Sequence, residues 1–512
     1  MTPVPAPSPV APVLPRPPHT RVDRFLVVAV LVSTCLRVPG LLATPSSDEA
    51  GFLLVARAWS PSAEGLYGPY WVDRPPVLLA AYRWSDALLG ASGPRLVAAV
   101  LAGALVVTVH ALARRVAGAW PARLATVVTV SLLADPELSA WTAKGEVLGT
   151  PFAVLGCLLV VRALDASAGR RRDRLALAAG FSSVLACGFK QSLVGGLVFA
   201  AVLLAGTAML RRESLPRVAA VAGRFAVGGS LPVLACLLWI ALTPATLAAG
   251  WYQVVGFRAD ASAVLAASDS PAPVERAHDL ALLFVVCGMA PLLLLGLVSA
   301  QRWFGRWPAL SCAVLAMTVV DLAGVVVSGS FWHAYLVPLV PDVALLAALA
   351  ASTGPPVRSL ARFVTALALV ATLSAYVGFA HDRLVAPTPS GPWQVGAAIS
   401  AVAGRDDTIV SLYGSAELVG ASGLPSPYRH LWSLPMRTLD PELTQLHDVL
   451  NGDRAPVWVV GVLPLTSWHL DGDHRLRRLL LERYELVGPD GCGPLIWLRS
   501  DLHRPAPQLD CG

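Results

Sequence analysis

Lysine is nearly missing from this chain: of 39 basic side chains only Lys144 and Lys190 are lysine, and arginine supplies the rest. Charge of either sign is scarce, at 14% of residues against about 25% in soluble domains. With 55% hydrophobic residues and a mean hydropathy of +0.62, the 512-residue chain falls outside the soluble globular class and reads as an integral membrane protein. The net charge of +6 does not argue for nucleic acid, because the positives are scattered through short loops and form no stripe. There is no Cys/His cluster at zinc spacing, no Walker-type glycine loop and no serine nucleophile elbow, so those catalytic classes lack their residues. Cysteine is limited to eight. Cys35, Cys157, Cys187, Cys236, Cys287 and Cys312 lie in apolar runs as small hydrophobes. Cys492 and Cys511 lie in a polar C-terminal segment, where a disulfide is open to them if that segment faces an oxidising compartment.

What is abundant is long apolar sequence. The Pro-rich start MTPVPAPSPVAPVLPRPP lacks the apolar core of a signal peptide and reads as a disordered cytoplasmic tail over residues 1–23. A spanning helix needs about 20 mostly apolar residues. Eleven segments fit, near 24–43, 96–117, 121–134, 147–164, 174–188, 191–210, 225–242, 279–300, 308–327, 335–351 and 361–380, forming a membrane module over 24–384. Their interiors carry almost no charge apart from Arg37 and Asp321. Arginines crowd every second loop, which by the positive-inside rule makes the N-terminus cytoplasmic and the C-terminal region external in a multi-pass plasma-membrane protein. The first external loop, 44–95, breaks the rule with Arg57, Arg74, Arg83 and Arg95, which points to an anionic ligand there. A second external loop covers 134–146, and a long fourth one, rich in Trp, Tyr and Asp, covers 243–278. After Ala386 a Pro/Ser/Gly linker leads into an α/β region, 385–512 with the linker, in which DDTIVSLYG and APVWVVGVLP read as buried strands on either side of a helical PELTQLHDVLNG.

Candidate chemistry begins at SSDEAGFLLVARAW, residues 46–59. Ser46 followed by Glu49 is a Ser-x-x-Glu capping box, and two acidic residues in a first turn suit the helix dipole. Farther along the same loop, GLYGPYWVDRPPVLLAAYRWSDALLG sets Tyr67, Tyr70 and Trp71 before Asp73, Arg74 and a Pro-Pro pair. Read singly, these are an interfacial aromatic cluster and a turn.

Together the two stretches resemble the first external loop of the membrane-embedded GT-C glycosyltransferases, nearest the protein O-mannosyltransferase and lipid A aminoarabinose transferase group. The resemblance implies an all-α polytopic GT-C fold of about eleven transmembrane helices with a C-terminal extracytoplasmic α/β domain. It also implies that Asp48 is the catalytic carboxylate, Glu49 its neighbour, and Arg74 the contact to the donor's phosphate. The family often has lysine before the proline, so the arginine keeps the charge with a different shape. ADPELSAWTAKGEVLGTPF offers a second acidic group, Glu146 preferred and Asp135 as alternative, with Lys144 beside it. CGFKQSLV places Lys190 and Gln191 like a basic position of the family, and SGSFWHAYLVPLVP resembles its His-aromatic segment through His333 and Tyr335. LYGSAELVGASGLPSPYRHLWSLP looks like the external domain of actinobacterial members.

The implied activity is an inverting transfer of a monosaccharide from a polyprenyl phosphate carrier to an acceptor hydroxyl, on protein, lipid or polysaccharide. A carboxylate accepts the hydroxyl proton, the cations Arg74, Lys144 and Lys190 are expected to bind and stabilise the departing phosphate, and Tyr67, Tyr70, Trp71, Asp73, His333 and Tyr335 are expected to contact substrate. Asp48 and Glu146 also have the oxygen donors that hold Mg²⁺ or Mn²⁺, and relatives of this fold exist with and without a metal. The competing classes are a transporter or flippase of lipid-linked sugars, which calls for ionisable residues at mid-membrane in several spans, and a non-catalytic envelope assembly protein.

Overall fold

The computed structural model describes residues 23–385, 391–488 and 493–509. The expectations for the Pro-rich tail, for linker residues 386–390 and for a Cys492–Cys511 disulfide fall outside the described residues.

Each of the eleven apolar segments is helical, from Arg24–Cys35 through Pro355–Leu384. Among the described residues, seven helices are long and apolar enough to cross a membrane. There are eight if Ala272–Val286 and Met289–Val298, bent by 64° across their break, count as one span. Gly288 between them has φ 86°, a left-handed conformation that suits glycine. Ala119–Ala134 and Gly195–Met209 are apolar but short. Arg170–Phe189 opens on four arginines among its first five residues, which lowers its hydropathy. Eleven therefore counts apolar helical segments, of which seven or eight meet the requirement for spanning.

The bundle is organised around Leu339–Ala351, every residue of which is buried. It packs against Ala119–Ala134, Gly93–Ala117 and Met289–Val298, and its run of Ala and Leu lets these helices approach closely, as bundles in lipid require. This central helix corrects one reading: Asp342, fully buried within it, is a third ionisable position in the spans beside Arg37 and Asp321.

Two helices of the first loop, Ser47–Arg57 and Pro76–Leu89, lie at one end of the bundle. Over this end sits the C-terminal region, whose four strands are β1 (Ile409–Leu412), β2 (Trp458–Gly461), β3 (Tyr484–Leu486) and β4 (Leu495–Arg499). Their order is β1-β2-β4-β3. The two runs read as strands are the parallel pair β1 and β2, in register Ile409 to Trp458, and the crossover between them contains the helix Thr444–Asn451, as parallel pairing demands. β4 pairs antiparallel with both β2 and β3.

Val410, Leu412 and Val459 on one face pack with Leu446, Leu450, Leu476 and Leu480. Ile409, Trp458, Val460 and Ile496 on the other belong to the same continuous core as the membrane helices. The join is tight: Gly420 packs on Ala50, and a Cβ on Gly51 would fall 2.1 Å from Trp432 Cζ2. Gly51→Ala must push that indole aside, so it is expected to destabilise the protein by about 1–3 kcal/mol in thermal unfolding, as overpacking does. Trp432→Ala in the same chain should recover part of the loss.

Candidate active site

Consecutive helical residues point about 100° apart, and this separates Asp48 from Glu49. Ser46 is the N-cap of Ser47–Arg57 and makes the reciprocal capping box with Glu49. Glu49 is 3% exposed and accepts from Arg95 Nε and Nη2 at 2.8 and 2.7 Å, Ala143 N at 2.9 Å and Ser46 N at 3.1 Å. Asp48, one position earlier, keeps a side chain that is 33% exposed and lines a cavity of about 410 Å³. The expectation that Glu49 shares in the chemistry is corrected: its carboxylate is used up in fixing the helix start to Arg95 and lines no part of the cavity.

The other side chains arrive from distant parts of the chain. Gly145 lies so close to Phe189 O, 2.7 Å for an added Cβ, that only glycine lets the start of Gly145–Asp165 rest on the end of Arg170–Phe189. That approach sets Lys190 Nζ 2.5 Å from Glu146 Oε1 and 3.7 Å from the centre of the Tyr335 ring. Lys144, just before the helix, reaches Asp48 Oδ2 at 3.2 Å.

Arg74 stands on a strand of loop whose carbonyls are held one by one. Gln253 Nε2 donates to Val72 O at 2.8 Å, Gln191 Nε2 to Asp73 O at 3.3 Å, and the Tyr67 hydroxyl to Arg74 O. Such pinning supplies the preorganisation that a reactive site requires. Asp73 Oδ1 accepts from Arg74 Nη1 at 2.6 Å, and Oδ2 is in ion-pair contact with Arg258. Asp48, Asp73, Arg74, Lys144, Glu146 and Arg258 all line the same cavity, with Trp332, Tyr335 and Trp432 as aromatic walls.

Charge sets the protonation states. Burial pushes the Asp48 carboxyl up, but Lys144, Arg74 and Lys190 outweigh it and hold the group below the usual aspartate range, so it is ionised. Burial pulls Lys144 down, while Asp48 and Glu146 more than offset this and keep it an ammonium. Arg74 is likewise held firmly protonated by Asp73 and Asp48 against the pull of burial.

Of the second acidic candidates, Glu146 faces the cavity. Asp135 does not line it: it is buried elsewhere, accepting from Glu137 N and contacting Thr372. Of the aromatic candidates, Tyr335 faces the cavity. Tyr67, Tyr70 and Trp71 are corrected from substrate contacts to loop supports. Tyr67 is 1% exposed under Arg74, the Tyr70 hydroxyl accepts from Ser426 N at 3.1 Å, and Trp71 packs on Phe257 at 4.3 Å between ring centres. His333 is half-buried and lines no part of the cavity; its ring contacts Glu137 O at 3.0 Å.

Among the four first-loop arginines, only Arg74 lines the cavity. Arg57 pairs with Asp86, Arg83 donates to Trp59 O, and Arg95 holds Glu49. The reading missed Arg258 and the C-terminal wall, Gly414 with Trp432–Pro435. A signal for Arg258 was present, since it too is an arginine in a loop on the side where the rule expects few. A divalent cation does not fit the donors in this arrangement, because Asp48 and Glu146 each face a lysine ammonium. Among the described residues no three His, Cys, Asp or Glu side chains converge as metal ligands.

No protein-family model and no curated protein matches the chain. Solved structures do. ArnT from Cupriavidus metallidurans bound to undecaprenyl phosphate aligns with TM-score 0.59 at 14% identity, over 92% of this chain and 97% of that one. Its apo form aligns with TM-score 0.60. The archaeal oligosaccharyltransferase AglB from Archaeoglobus fulgidus, in complex with an inhibitory peptide and a dolichol-phosphate, aligns with TM-score 0.51 at 13% identity, over 93% of this chain and 74% of that one. At such identities the likeness is one of fold.

Proposed function

From the premise that this polytopic membrane protein has the GT-C fold of those neighbours, we propose that it is an inverting glycosyltransferase. It moves a monosaccharide from a polyprenyl phosphate to an acceptor hydroxyl at the external membrane face, the N-terminus being cytoplasmic. The observation that carries this reading is that the ionised, accessible Asp48 and the guanidinium groups of Arg74 and Arg258 open into one cavity of about 410 Å³. Lipid phosphates in the ArnT and AglB structures support the donor class.

In the proposed reaction the acceptor oxygen attacks the anomeric carbon as the bond from that carbon to the phosphate oxygen breaks. Asp48 takes the hydroxyl proton, a contribution of about 10²–10⁴ in rate. The phosphate leaves with the electron pair, and Arg74 and Arg258 meet its growing charge. Lys144 keeps Asp48 ionised, and Lys190 orients Glu146 beside it. A single displacement inverts the anomeric centre.

A transporter reading would build on Asp321 and Asp342 inside the spans. The pocket beside Asp321 measures only about 10 Å³, room for about one water molecule, while Asp48, Asp73 and Glu146 gather around the cavity of about 410 Å³. The direct test incubates membranes containing the protein with radiolabelled polyprenyl phosphate sugars, mannose first. A labelled acceptor is expected, and no transfer from any such donor would refute the reading. The pH profile adds a check: because Asp48 is held below 3.8, its ordinary value, the acid limb of kcat/KM should lie below that pH. A limb near pH 6 would assign the base to another group.

A further inference from the structure

We propose that Asp73 stands in for one phosphate charge, so that the cavity matches the singly charged diester of the donor and expels the doubly charged monoester product. This inference rests on the donor reading above and names how that same site discriminates substrate from product.

The geometry places Asp73 between two cations. Its side chain is 10% exposed and bridges Arg74 and Arg258, at 15% and 34%. Oδ1 accepts a hydrogen bond from Arg74, and Oδ2 forms the ion pair with Arg258. Arg258, whose side chain reaches solvent more than that of Arg74, is the replaceable partner. It is the most exposed of the three and lies two residues past the π-helical turn Tyr252–Gly256, a rare geometry often found at functional sites. The carbonyls of residues 72, 73 and 74 are each pinned by a side chain, so Asp73 stays in place while Arg258 is free to turn to an incoming phosphate.

The charge count agrees. The cationic Arg74, Lys144, Lys190 and Arg258 gather around the anionic Asp48, Asp73 and Glu146, which leaves one net positive charge. A polyprenyl phosphate sugar is a diester with one negative charge. Once the sugar has left, the phosphate is a monoester that loses a second proton near pH 6. Its second charge appears as Asp48 takes the acceptor's proton, so Arg74 and Arg258 meet it at the transition state; once Asp48 gives that proton up, the charge finds no free cation and faces the Asp73 carboxylate, and the product is pushed out. Without Asp73 the excess becomes two, which suits the product better than the donor.

The test uses the full-length protein in nanodiscs, titrated at pH 7.5 with undecaprenyl phosphate and with its monomethyl ester, a diester of the same lipid. Wild-type protein should bind the monoester no more than about threefold more tightly than the diester. In Asp73→Asn the monoester should gain about tenfold or more over the diester, the scale of one added unit of charge at close range. Equal tightening or equal weakening of both ligands by Asp73→Asn would make Asp73 a structural residue only and overturn the proposal while the donor reading stands. Wild-type protein supplies the same test without any variant. Between pH 5.5 and 8 its affinity for the monoester should stay flat or fall relative to the diester, and a rise of about tenfold would overturn the proposal. If wild-type protein binds neither lipid, the donor reading fails and this inference with it.

Discussion

Asp48→Asn is expected to lower sugar transfer by about 10²–10⁴-fold without weakening the binding of the polyprenyl phosphate sugar. The asymmetry follows from position. Asp48 has one polar partner, Lys144 at 3.2 Å, and its amide analogue keeps the shape of the helix start because the cap is made by Ser46 and Glu49. What the amide loses is the capacity to take a proton. The proposed phosphate contacts, Arg74 and Arg258, are untouched. The measurement is kcat and KM for a labelled donor alongside a separate binding titration. A fall confined to kcat supports general base catalysis, and an equal loss of binding would make Asp48 a part of the donor pocket.

Glu49→Ala, one residue away, should act in the opposite manner, on stability. Glu49 and Arg95 are both nearly buried, with side chains 4% and 6% exposed. Arg95 also donates to Gly40 O, Ala43 O and Thr44 O. Truncating the carboxylate strands a guanidinium away from water with no counter-charge, which costs about 3–5 kcal/mol. It also frees the Ala143 and Ser46 amides and loosens the loop that presents Lys144. Thermal unfolding in detergent should therefore separate the adjacent acids, with Asp48→Asn near wild type and Glu49→Ala strongly lowered. Glu49→Leu with Arg95→Met should recover much of the loss, since an apolar pair can replace a buried ion pair.

These two residues also show how far the sequence could be read. The helix start at Ser46 was legible because a capping box is local, three residues from end to end. The spans were legible because hydropathy integrates over about 20 residues. Their number was less so, since Arg170–Phe189, Ala119–Ala134 and Gly195–Met209 differ in length and charge from a standard span. Long-range pairs left no local trace. Nothing in the order of residues says that Glu49 meets Arg95, 46 positions on, or that Arg258 folds back onto Asp73. The aromatic stretch misled for a related reason. Tyr67, Tyr70 and Trp71 precede Arg74 closely enough to suggest a binding surface, but their partners Arg74 O, Ser426 N and Phe257 turn them inward. Lys144 and Lys190 did carry information: each pairs with a carboxylate that lines the cavity.

The central claim, that this cavity holds a polyprenyl phosphate sugar for attack by a hydroxyl that Asp48 deprotonates, is tested most directly by the lipid that travels with the stalled protein. Asp48→Asn protein purified from its own envelope should, by mass spectrometry, retain an intact polyprenyl phosphate sugar whose mass names the sugar. Arg74→Ala introduced into the same variant should remove it. An Asp48→Asn protein that carries no such lipid and turns over labelled donor like wild type would contradict the account.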